Sequence, residues 1–174
     1  AWGANDRITI GVVGAGRRGT QDFKGLMACP EAQIVAIADC RKPRLDEAIK
    51  TVNDFYASAA ASGAYKGCDA YGDFREIIVR KDIDAVLVAP PDHWHGIVAT
   101  QALNAGKDLY CEKPIGLTIA EGQAIRDAVA KNKRVLQTGT QQRSDEKFRH
   151  ACELARNGYL GHIDSIDVAV PAGG

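Results

Sequence analysis

The sequence predicts an α/β domain built on a doubly wound parallel sheet. Short apolar, β-branched runs recur along the chain, stretches with helical spacing separate them, and the links between the two are short. Continuous apolar runs suit strands covered by helices on both faces. Alternation of strand and helix then implies right-handed crossovers.

The elements follow in order. Ile8–Val13, Ile34–Ala38, Ala85–Val88, Leu109–Cys111 and Val135–Thr138 have strand length and composition. Phe23, Leu26 and Met27 share one helical face, and Leu45, Ala48, Ile49, Val52 and Phe55 form a second stripe after Pro43, which suits a first helical turn. The alanine-, serine- and glycine-rich Ala57–Gly67 reads as a surface excursion between helix and strand. Asp73 with Glu76, and Thr118 with Glu121, have capping-box spacing, while Asn104-Ala-Gly106 and Asn157-Gly158 read as helix stops. Ser144 is placed to cap a last helix whose apolar face is Phe148, Ala151, Cys152 and Ala155. Residues 162–170 alternate apolar and polar, the half-buried pattern of an antiparallel sheet, and are expected to open a second, α+β domain.

Composition narrows the partners. Lysine plus arginine equals aspartate plus glutamate, 22 against 22, so there is no electrostatic footprint for nucleic acid. No run of about eighteen apolar residues offers a membrane span, and the first residues lack the charged start and apolar middle of a signal peptide. The expected location is cytoplasmic, or periplasmic where an export signal has been removed. Five cysteines lie far apart with no C-x-x-C pair, which argues for buried thiols rather than a disulfide scaffold.

The chemistry begins where the first strand runs into Gly14-Ala-Gly16-Arg17-Arg18-Gly19 and then a helix. G-x-G-x-x-G alone is a weak signal. Between a strand and a helix it becomes a phosphate loop: Gly14 for the turn, Gly16 for approach of backbone to a pyrophosphate, Gly19 for close helix–strand packing. Arg17 and Arg18 add charge at the rim. Asp39, 20 residues after Gly19 at the end of the second strand, is placed to hold the ribose hydroxyls of NAD. Arg41, two residues on, keeps NADP open as an alternative. The reading is a Rossmann-type dinucleotide-binding domain over residues 1–143, followed over 144–174 by a crossover helix and the first strand of a truncated substrate domain.

Two more motifs reach the same sheet edge. One strand exits at Pro90-Pro91, followed by Asp92, His93, Trp94 and His95, with Asp92 able to cap the next helix. Another ends in Glu112-Lys113-Pro114, and a third in Gly139-Thr-Gln-Gln142-Arg143. His93 and His95 are too close along a helix to share a metal, and no metal is expected. Trp94 reads as packing, and His150 and His162 as structural.

In order and spacing, Gly14–Gly19, Pro91–His95, Glu112-Lys113-Pro114 and Gly139–Arg143 resemble the glucose–fructose oxidoreductase, inositol dehydrogenase and MocA family over nearly the whole chain. The wording around Trp94 and Gln142 further resembles a bacterial branch whose members are often exported folded. The resemblance implies a nicotinamide-dependent oxidoreductase acting on a sugar, cyclitol or polyol hydroxyl. It implies Lys113 as the catalytic residue beside the nicotinamide, and Glu112 on the nicotinamide ribose. Pro91, Asp92 and His95 would line the cofactor channel, with Gln142 or Arg143 closing its far side. It also implies a homo-oligomer when full length, and an active site completed by a second domain, so that these residues alone are not expected to turn over substrate. Two alternatives stay open: a glycoside-cleaving enzyme that retains its NAD, and a non-catalytic dinucleotide sensor.

Overall fold

The computed structural model describes residues 7–169. Six parallel strands, β1 (Ile8–Val13), β2 (Ala32–Ala38), β3 (Asp69–Tyr71), β4 (Ala85–Val88), β5 (Asp108–Glu112) and β6 (Leu136–Gly139), lie in the order β3-β2-β1-β4-β5-β6. The chain steps outward from β1 to β3, then crosses back to β4 and steps outward the other way. The order therefore reverses between β1 and β4, opening a crevice at their carboxyl ends.

Neighbouring residues of each strand feed opposite faces. Val12, Ile37 and Leu87 pack under α1 (Arg17–Met27) and α2 (Lys42–Phe55), against Phe23, Met27, Leu45 and Val52. Val13, Ala38 and Val88 pack on the other face under α4 (Phe74–Ile78), α5 (His95–Asn104) and α6 (Ile119–Asn132), against Ile77, Val98, Leu103 and Ile125. A sheet buried on both faces explains why its strands are continuous apolar runs rather than alternating ones.

Several local expectations need correction. The excursion after α2 holds a short helix, α3 (Ala57–Ala61), and then Tyr65, which is buried and donates its hydroxyl to Ile34 O at 2.9 Å. Phe55 follows the helical spacing yet is 52% exposed; its ring meets the buried Tyr56 edge-on, and Tyr56 takes the core position. Asp73 caps α4 by accepting from Arg75 N at 2.9 Å and also binds the Arg75 guanidinium, but Glu76 does not return the bond. The Thr118–Glu121 box forms in full, and Gly106 and Gly158, at φ +81° and +80°, end their helices as expected.

Two compact units divide the chain, Ala1–Gly139 and Thr140–Gly174. In the second, α7 (Glu146–Arg156) is capped by Asp145, whose carboxylate accepts from Lys147 N at 2.9 Å. Ser144 instead ends a 3₁₀ turn over Gln141–Ser144, one residue too early to reach the helix amides. His150 and His162 are exposed rather than structural. Residues 161–169 form no strand, and Val170 lies outside the described residues. Alternation specifies a face only when a neighbouring strand supplies the hydrogen bonds, and none of the described residues does so here. Among the described residues no helix is long and apolar enough to cross a membrane.

Candidate functional site

The carboxyl end of β1 makes the turn that the glycines anticipate. Gly14 has φ +91°, and a Cβ there would lie 2.6 Å from Pro90 N and 2.7 Å from Ala89 O, so any side chain would collide with the β4 exit. Its N–H donates to Ala38 O at 2.8 Å. A Cβ on Gly19 would meet Gly14 O, which is why α1 can close onto the turn. Gly16 differs from both. It is an ordinary N-cap, with φ −67°, and its nearest neighbour to an added Cβ would be Arg44 Nη1 at 3.8 Å. Glycine there clears space rather than permitting a turn.

That space lies over the start of α1, which has no side-chain cap among the described residues. The first amides of a helix have no intrahelical partner and sit at the positive end of the helix dipole. Uncapped amides behind a bare glycine fit a diphosphate. Arg17 is exposed at this rim. Arg44, in the first turn of α2, hangs over Gly16; nothing in the sequence marked it, since no motif spacing links the two.

Asp39 ends β2 beside the loop, half-buried. One of its oxygens accepts from Ala15 N and the other from Arg41 N, both at 2.8 Å. The carboxylate therefore shapes the glycine loop. Arg41 contributes its backbone to Asp39 while its side chain is exposed.

Arg18 does not sit at the rim as expected. It turns inward to Asp22 Oδ1 at 2.5 Å and Glu112 Oε1 at 3.2 Å. Burial works against its charge, but the two acids outweigh that and raise its pKa. Burial, then the neighbouring Glu112 carboxyl, push Asp22 up to about 6 against the opposing pull of Arg18. Glu112 is 2% exposed at the end of β5, and its other oxygen accepts weakly from Lys113 N at 3.3 Å. Lys113 and Pro114, the next residues, are exposed at the sheet edge.

Pro91, Asp92, His93 and Trp94 are exposed beyond β4, and Asp92–Trp94 form a 3₁₀ turn that the Asp92 side chain does not cap. Trp94 packs its ring edge-on against Phe74, centroids 6.3 Å apart. His95 is 1% exposed. Its Nδ1 lies 2.6 Å from Pro114 O and its Nε2 2.8 Å from Pro90 O. The imidazole staples the loop after β4 to the loop after β5. Gln142 and Arg143 belong to the second unit, in its 3₁₀ turn, both exposed.

The sheet edge thus carries a bare phosphate loop, an acid at the end of β2, and an exposed lysine at the end of β5. The GFO/IDH/MocA family model, described as an oxidoreductase family with an NAD-binding Rossmann fold, matches residues 8–140. The chain belongs to this family. The matched residues form that family's NAD-binding Rossmann fold. It is 32% identical over 167 residues to the myo-inositol 2-dehydrogenase of Thermotoga maritima, covering 95% of this chain and 46% of the relative. Over 134 residues it is 29% identical to a glycosyl hydrolase family 109 protein of Saccharopolyspora erythraea, covering 77% of this chain and 28% of that protein. The crystal structure of a Lactobacillus casei scyllo-inositol dehydrogenase with bound NAD(H) and scyllo-inositol superposes with a TM-score of 0.74 at 29% identity, covering 89% of this chain and 42% of that one. The chain spans less than half the length of these relatives.

Proposed function

We propose that this chain is the cofactor half of an NAD-dependent dehydrogenase that oxidises a ring hydroxyl of a cyclitol or sugar. The observation that carries the reading is the opening over Gly16, where a helix start with unshared amides meets space that only glycine leaves. Similarity to inositol dehydrogenases supports the substrate class.

The bound nicotinamide would supply a hydride acceptor. The residues supply the rest. Gly14, Gly16 and Gly19 shape the diphosphate cradle, Arg17 and Arg44 offer it positive charge, and Asp39 meets the ribose hydroxyls, which favours NAD over NADP. Pro91 and Asp92 flank the channel from the β4 side, and Glu112 underlies it. Lys113, exposed at the end of β5, orients the substrate hydroxyl and takes its proton at Nζ, the general-base role that alcohol oxidation requires. The whole enzyme would act as a homo-oligomer.

Gly16→Ala tests the reading directly. The added methyl meets nothing closer than 3.8 Å, so stability should stay within about 0.5 kcal/mol of the original chain. Calorimetric titration with NAD should nevertheless show affinity falling at least about tenfold, since the methyl occupies the diphosphate's place. Unchanged NAD affinity in Gly16→Ala, or no NAD binding by the unaltered chain, overturns the proposal.

A second reading draws on the similarity to the family 109 glycosyl hydrolase. There the same NAD would be reduced and reoxidised within each cycle. Release of an aglycone without accumulation of NADH would favour it; NADH accumulating with myo-inositol would favour the dehydrogenase.

A further inference from the structure

Beneath the sheet edge, two acids and one base meet in a space with little solvent. Asp22 lies one turn beyond Arg18 on α1, and its side chain is only 7% exposed; that of Glu112 is 3% exposed. Arg18 reaches both, through Nη2 to Asp22 and Nε to Glu112. The latter contact is an ion pair without hydrogen-bond alignment. Asp22 Oδ2 and Glu112 Oε1 are left buried with no hydrogen-bond partner among the described residues.

Glu112 is hemmed in from a third side by β6. A Cβ on Gly139 would lie 2.7 Å from Glu112 Cδ and closer still to Oε1, so glycine is required there for Glu112 to occupy this position. The next residue along is Lys113. Anything that fixes Glu112 therefore fixes the start of the loop that carries the lysine.

Charge counting shows what is missing. Two ionised carboxylates and one guanidinium leave a net negative charge where burial penalises it. Two orphaned oxygens also lack a donor. One proton on Asp22 answers both deficits, removing a charge and supplying a donor. The titratable and charged groups facing Asp22 are Arg18 from its own helix and Glu112 and Tyr110 from β5. Burial pushes the Tyr110 phenol upward, so it stays neutral and adds no charge.

We propose that Asp22 is a positioning residue of the cofactor site, clasping Arg18 jointly with Glu112 and turning a protonated carboxyl toward Glu112, so that the Lys113 loop is locked to the helix of the phosphate loop. The role deepens the dehydrogenase reading and rests on it. Loss of the Asp22 proton adds a second buried negative charge beside Arg18 and loosens the lock.

Asp22→Asn and Asp22→Ala separate this from a merely structural acid. Asparagine keeps an acceptor for Arg18 and offers Glu112 a permanent donor, imitating the protonated pair; alanine offers neither. NAD affinity of the unaltered chain, measured by calorimetry from pH 5 to 7.5, should fall by about tenfold as Asp22 ionises. Asp22→Asn should hold the low-pH affinity throughout, and Asp22→Ala should bind weakly and without pH dependence.

Urea unfolding provides a readout that needs no cofactor. An acid whose pKa is raised on folding binds its proton more tightly in the native state. Its stabilisation is complete below the ordinary carboxylate range and is lost as pH rises through about 6. That decline should be present in the unaltered chain and missing in Asp22→Asn. Parallel pH profiles for the two proteins overturn the proposal. An unaltered chain that binds no NAD at any pH overturns the cofactor reading, and the positioning role with it, whatever the unfolding curves show.

Discussion

Replacing His95 by alanine separates a staple from a pocket wall. The ring is 1% exposed and faces Pro90 O and Pro114 O. A neutral imidazole has one N–H, so it donates to one of these carbonyls at a time, and only a doubly protonated ring serves both. Alanine leaves at least one carbonyl without its donor, at about 1–3 kcal/mol. It also opens a cavity of ring size in a packed region, where truncating a larger aromatic costs about 3–5 kcal/mol. Partial relaxation of two proline loops reduces the sum, and about 3 kcal/mol is the expected loss. For a chain of this length that corresponds to roughly 6–12 °C in melting temperature, readable by circular dichroism, with a matching drop in the urea midpoint. NAD affinity should fall too, because Pro90 and Pro114 both adjoin the site. A variant that melts within about 2 °C of the original yet binds NAD poorly would refute the reasoning, since it would place His95 against cofactor instead of backbone.

Asp39→Ala removes the carboxylate that accepts from both Ala15 N and Arg41 N, so a stability loss of about 1–2 kcal/mol should accompany a fall in the ratio of NAD to NADP affinity. Calorimetry with both dinucleotides checks it, and an unchanged ratio would show that Asp39 serves the loop alone. Of the five cysteines, Cys29, Cys40 and Cys152 are exposed, while burial pushes the Cys68 and Cys111 thiols up to about 12 and keeps them protonated at neutral pH. A thiol reagent should therefore modify three rapidly in the native chain and all five in denaturant. Rapid modification of a fourth would contradict the burial.

Elements that the core defines were legible in the residues. β1 and β4 have the limits read from their apolar runs, and the capping box of α6 is written out in Thr118 and Glu121. β3 was not legible as a run: it is three residues, Asp69–Tyr71, none of them buried, and exists by pairing with Ala36, Ile37 and Ala38 of β2. The segment 162–170 shows the converse. Its alternation is clear, yet residues 161–169 lack the partner that would turn alternation into a strand. Motif spacing also located the loops of the site correctly on the sheet. It could not say which way a side chain turns. His95 and Arg18 both fall where the pattern puts them, but His95 is buried against two backbone carbonyls and the half-buried Arg18 turns to two acids.

These contacts bear on how the proposed site would work. Arg18 is committed to internal acids, and the Asp39 carboxylate is anchored by two backbone amides. The groups left facing outward at the phosphate loop are main-chain amides at the start of α1, with the exposed Arg17 and Arg44 around them. On the proposed reading, recognition of a diphosphate here would depend on backbone shape more than on the arginines of the glycine motif. Neutralising Arg18 would disturb the Asp22–Glu112 pair and the fold around it, whereas neutralising Arg17 would remove only a solvated charge whose pull on a phosphate is weakened by salt. Two adjacent arginines in one motif are thus unequal: Arg18, half-buried, is held by two acids, and Arg17 is a solvated charge at the rim.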